Sequence, residues 1–232
     1  MGASVVWELT KLQRHMGGTA GVTLYVLGIL VLGVLAPLYF GFALVSARVL
    51  LLYTFLPVLF APPVVAESVG GEKELKPENP AQRREWLYGK VGAGVIYGWV
   101  SVGLIFALAG ISMCLSEGRF FLMPMQFVAG LVLVSLAASF LAASLAAAVA
   151  IGARSKKAAK RTMRQGLLLL VIILVYLSRQ PWAWTRRLAV PESGPRFLEF
   201  ALVISVVLTA LAVGLAMLAL HSAEPAEIRL NL

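Results

Sequence analysis

Apolar residues run along this chain in six long blocks, at residues 19–40, 42–66, 91–115, 124–152, 166–184 and 197–220, with only short polar stretches between them. Such blocks lie near or above the roughly 18 to 20 residues that a helix needs to cross a hydrocarbon core about 30 Å thick. They are long runs, unlike the short patterned stretches that build a soluble core. The expected architecture is all-α, a single integral membrane domain over residues 1–232 with six transmembrane helices. The first block should remain as the first span, because no small-x-small cleavage pattern follows it ahead of the second.

Detail within the pattern refines this picture. Ahead of the first block, Val5, Leu9, Leu12 and Met16 share one helical face while Glu8, Lys11 and His15 share another. This predicts an amphipathic interfacial helix over residues 3–16, with Trp7 as headgroup anchor, Leu9 and Leu12 toward the acyl chains and Lys11 toward water. The first two blocks are joined only around Gly41, as a tight hairpin. Pro57, Pro62 and Pro63 should kink or end the second span, because proline removes a helix hydrogen bond and crowds the preceding turn. In the fourth block Ser135, Ser139, Ala143 and Ala147 recur every four residues, a small-residue face that allows close helix approach in lipid.

Composition agrees with lipid as the solvent: 60% of the 232 residues are hydrophobic and 13% charged, against roughly 25% charged in ordinary soluble domains. The net charge of +9 reads as cytoplasmic loops and contact with anionic lipid rather than nucleic-acid binding. Lipid is therefore an expected partner and nucleic acid is not. With six spans and both termini cytoplasmic, 14 of the 20 Lys and Arg residues fall on the inner side, the bias expected in an inner cell membrane. The apolar stretch from Gly166 to Leu177 is short, and a five-span alternative in which it does not cross would place 17 of the 20 inside. Six spans are expected because Arg179 can snorkel while Trp182 and Trp184 sit at the outer interface.

The residues present exclude several chemistries. The chain has no Asp, and its two histidines, His15 and His221, lie near opposite ends of the sequence. A zinc site, a Ser-His-Asp arrangement and a paired-aspartate protease therefore lack their parts. No phosphate-cradling GxxxxGK[ST] loop occurs. Besides the snorkelling Arg179, the spans carry only Arg48 and Glu199, both near outer ends, so no proton or ion relay is evident. No catalytic site, metal or cofactor is expected in this chain. Its one cysteine, Cys114, allows no internal disulfide.

The polar stretch from Glu67 to Lys90 places five acids and five bases after the proline-rich block. It contains Gly71, Glu72, Lys73 and Glu74, then Pro80, then Arg83, Arg84, Glu85, Trp86, Leu87, Tyr88, Gly89 and Lys90. At these residues the sequence resembles the membrane subunits of exporter-type ABC transporters. In that six-span permease family a GEKE-like motif follows the second span, and a proline, a basic-basic-glutamate group and a GK pair lead into the third. The family usually carries an extra helical turn or two between the GEKE-like motif and the proline, and here that insert is short. The resemblance implies a permease working with a second permease subunit, identical or not, and a separate cytoplasmic ABC ATPase that holds ATP and Mg. It implies that Gly71, Glu72, Lys73, Glu74, Pro80, Arg83, Arg84, Glu85 and Lys90 form the ATPase-coupling loop. The other readings are a non-transporting scaffold or assembly subunit, and a stretch that is simply a solvated, salt-bridged loop. Attraction to anionic lipid accounts for the basic stretch from Arg154 to Arg164 without a protein partner.

Overall fold

A computed structural model describes residues 18–40, 47–71, 79–118, 124–153, 157–159, 161–163, 165–166 and 194–222. Among these residues the regular structure is entirely helical. The chain forms α1 (Gly18–Leu30), a π-helical segment (Val31–Leu35), α2 (Ala36–Phe40), α3 (Ala47–Thr54), α4 (Pro57–Gly71), α5 (Pro80–Glu117), α6 (Met125–Gly152) and α7 (Gly194–Ser222). Short helical pieces cover 157–159, 161–163 and 165–166.

Three of these helices, α5, α6 and α7, are long and apolar enough to cross a membrane. The 28 residues of α6 extend roughly 42 Å, beyond the core thickness. Of the six spans expected, three are therefore met by single long helices. The block 19–40 is met by a shorter apolar helix, Tyr25–Tyr39, and within it the π-helical segment interrupts the α-helical pattern. The block 42–66 is met by two short helices, and 166–184 lies outside the described residues beyond Gly166. The interfacial residues Trp7, Leu9, Lys11 and Leu12 and the hairpin at Gly41 also lie outside them.

Proline explains both interruptions. Pro57 cannot donate to the carbonyl of Tyr53, which instead accepts from Leu56 N–H at 3.1 Å in a tight turn. The helix of the second block therefore ends at Thr54, and Pro57 opens the next one. Pro62 and Pro63, expected to kink or end this span as well, leave α4 helical through to Gly71. In the first block Ala36 N–H bonds to Val31 O, five residues back. Pro37 has no N–H to offer the carbonyls of the preceding turn. Tyr53 of α3 donates its hydroxyl to Leu32 O at 3.2 Å, and Ser112 of α5 donates to Gly33 O at 3.3 Å. Neighbouring helices thus satisfy backbone groups that lipid could not.

The polar stretch from Glu67 to Lys90 is helical, not loop, in its described residues 67–71 and 80–90, on either side of 72–78. α4 continues past residue 66 to Gly71, and α5 begins at Pro80 rather than near 91. The start is a strong capping arrangement: Asn79 has extended backbone, its side chain accepts from Ala81 N–H at 3.0 Å, and Pro80 sits at the first helical positions. At its other end α5 stops at Gly118, whose φ of +62° makes it the only described residue in the left-handed region.

At the centre of the bundle stands α6, packed against α7, α4, α5 and α3. Its stripe of Ser135, Ser139, Ala143 and Ala147 is buried, as the four-residue spacing predicts. Opposite the stripe, Gly94 and Gly98 of α5 make close approach possible. A Cβ on Gly94 would overlap Val65 Cγ2, and one on Gly98 would lie 3.2 Å from Ala61 Cβ and 3.3 Å from Ser139 Oγ. The far end of the bundle closes on Phe197 of α7, stacked on Phe127 with ring centroids 4.5 Å apart. Gly130 leaves the space for it, since a Cβ there would come within 2.8 Å of Phe197. The outer side of α7 is left bare, with Val203 64% and Val206 67% exposed.

Candidate coupling site

One end of the bundle gathers the last turns of α4 and α6, the first turns of α5, the last turn of α7 and the pieces over 157–163. Val65, Ala66, Val69, Leu87, Val91, Ala147, Ala150, Ala159, Met163 and Ala219 form a single buried cluster there. The alanines carry no rotamer entropy to lose, and their size lets the helices approach closely.

Because Pro80–Lys90 is helical, the motif residues divide by face. Arg83, Leu87, Lys90, Val91 and Gly94 follow a spacing of four, three, one and three residues and are all buried. Arg84, Glu85 and Tyr88 lie on the opposite side and are exposed. Arg83 is 4% exposed and Lys90 only 1%. The Lys90 ammonium donates to Ser68 Oγ of α4 at 2.8 Å and stands 5.3 Å from the centroid of the Trp86 ring on its own helix. Taking an ammonium out of water is costly, and an oxygen acceptor with an aromatic face offsets part of that cost. The result is a cation that fastens the ends of α4 and α5 together.

The other sequence-derived residues fall as follows. Gly71 is the final residue of α4 and Pro80 stands at the start of α5, while Glu72, Lys73 and Glu74 lie outside the described residues. Only positions 72–78 separate Gly71 from the Asn79 cap. In the basic segment Ala159 and Met163 are buried while Lys157 and Arg161 are exposed, so these two apolar residues pack on the bundle and these two charges face outward. Sequence reasoning did not single out Ser68 as a partner. Nothing in local spacing signals a contact between residues 22 apart in the chain.

Among the described residues no group of three His, Cys, Asp or Glu side chains could hold a metal. No protein-family model matches this chain, and no curated protein or solved structure matches it either.

Proposed function

We propose that this chain is the membrane-spanning permease subunit of an ATP-driven exporter of the ABC type, with six spans and both termini in the cytoplasm of a cell's inner membrane. It works as a pair with a second permease subunit, and substrate moves through the seam between them. Energy comes from a separate cytoplasmic ABC ATPase carrying ATP and Mg. The observation that supports the reading best is the division of the motif on α5. Arg83 and Lys90 anchor the first turns in the bundle, and Arg84 and Glu85 stand exposed on the same turns. A force applied to that exposed ridge passes directly into a helix of 38 residues. A solvated loop would have no such rigid link.

Reversal of the exposed pair, Arg84→Glu with Glu85→Arg, tests the proposal, as does Glu72→Lys with Glu74→Lys in the adjoining stretch. Charge pairs at a partly buried interface matter by a kcal/mol or more when one partner is lost, whereas exposed pairs on an isolated surface are worth less than about 1 kcal/mol. Each reversal is expected to abolish co-purification of an ATPase and substrate-stimulated hydrolysis while the permease remains inserted. The scaffold reading keeps one specific point in its favour, the short 72–78 connection between α4 and the α5 cap. Recovery of no ATPase with the native chain would decide for the scaffold.

A further inference from the structure

Away from the coupling end, the bundle holds a cavity of about 380 Å³. It is lined by Leu50 and Tyr53 of α3, by the face of α5 running from Trp99 to Met113, and by the face of α6 from Val128 to Ser135. At 1.5 Å per residue the α5 face extends over roughly 20 Å. A volume at the lower end of the range for ligand pockets, drawn out over that distance, is a slot rather than a round pocket.

The lining offers an occupant almost nothing polar. Tyr53 donates its hydroxyl to Leu32 O, and Ser135 donates to Val132 O at 3.0 Å, so the two hydroxyl protons are already committed within the protein. Apolar cavities of this kind stay dry and take apolar molecules. Trp99, Val128 and Val132 are about two-fifths exposed and form a mouth that opens sideways, at the level of the long apolar helices.

Two glycines bear on the width of the slot. Gly103 and Gly110 both line the slot, seven residues apart on one face of α5. A glycine inside a helix is unfavourable by about 0.5–1 kcal/mol relative to alanine. Gly94 and Gly98, on the same helix, are required by close packing, but a Cβ on Gly103 or Gly110 would meet nothing within 4 Å. Helix packing therefore does not account for them. A larger side chain at either position would stand in the slot.

We infer that this slot binds a single hydrocarbon chain of an amphiphile, entering sideways from the bilayer, with Gly103 and Gly110 keeping the path clear. The inference rests on the cavity itself and is independent of whether an ATPase works with this chain.

The test uses the full chain, purified in detergent, and a fatty acid bearing a photoactivatable diazirine in its tail, with adducts mapped by mass spectrometry. Saturable labelling is expected within 99–113 and 128–135, in excess over the exposed Val203 and Val206 face of α7, which reports ordinary contact with the micelle. Competition by unlabelled fatty acid would identify a single-tailed occupant, and competition by phospholipid a bilayer lipid. The double substitution Gly103→Leu with Gly110→Leu should lower slot labelling at least tenfold and leave α7 labelling unchanged, whereas Gly103→Ala with Gly110→Ala retains most of it. Gel filtration and thermal unfolding check that the leucine variant is folded. Should it not fold, the wild-type saturation curve decides by itself. Labelling that does not saturate and matches α7 in intensity overturns the proposal, as does undiminished labelling of a folded leucine variant.

Discussion

One proline, Pro37, removes a backbone donor from the first block, and two side chains on other helices donate to carbonyls of the preceding turn. Ser112→Ala and Tyr53→Phe each remove a hydroxyl and little else, taking that donor from Gly33 O or Leu32 O. Hydrogen bonds between helices in a membrane are worth about 0.6 kcal/mol on average and up to about 1.7, while an unsatisfied buried polar group costs about 1–3 kcal/mol. The contacts are 3.3 and 3.2 Å long, toward the weak end of the range. Each variant should therefore lose about 1 kcal/mol of stability, and the double variant about 2 kcal/mol. Pro37→Ala restores one N–H, which can serve one of the two carbonyls but not both. In that background the double variant should lose only about 1 kcal/mol relative to its own parent. Equilibrium unfolding in mixed detergent micelles, run on all the combinations, measures these differences. If the double substitution is equally costly with proline and with alanine at position 37, the account of the π-helical segment as a satisfied proline defect is wrong.

Other outcomes follow from the packing and from the charge pattern. Gly94→Ala places a Cβ into Val65, and overpacking of this kind costs about 1–3 kcal/mol; adding Val65→Ala should recover most of the loss, and unfolding curves without recovery would argue against that contact. Ser68→Ala takes an acceptor from the buried Lys90 ammonium and should destabilise by about 1–3 kcal/mol. Unfolding curves unchanged by Ser68→Ala would mean that Ser68 does not hold the ammonium. Single cysteines at positions 184 and 227, placed in a Cys114→Ser background, should label from outside and inside respectively if six spans are present; labelling of position 227 from outside would establish five. Spin labels at Leu9 and Lys11 should differ in access to oxygen dissolved in lipid, and equal access would remove the interfacial helix.

Much of the helical character was legible in the chain because its source is local. Long apolar runs with few charges can satisfy their backbone in lipid only as helices, so α5, α6 and α7 follow from composition and length. The break before Pro57 and the close-packed stripe from Ser135 to Ala147 were also legible, since a missing N–H and a four-residue spacing are properties of the sequence itself. Hydropathy was a poor guide to where helices end when their terminal turns are polar. It assigned Pro80–Lys90 to a loop, although Asn79 and Pro80 carry a capping signal that could have located the start of α5. Other features depended on which helices become neighbours. Lys90 is buried against Ser68, 22 positions away, and Ser112 serves a carbonyl 79 positions away. Gly94 and Gly103 look alike in sequence, yet one faces Val65 across a tight contact and the other faces open space. Local pattern determines that a segment is helical and which residues share its face. What that face meets, a partner helix or a cavity, is decided by tertiary packing.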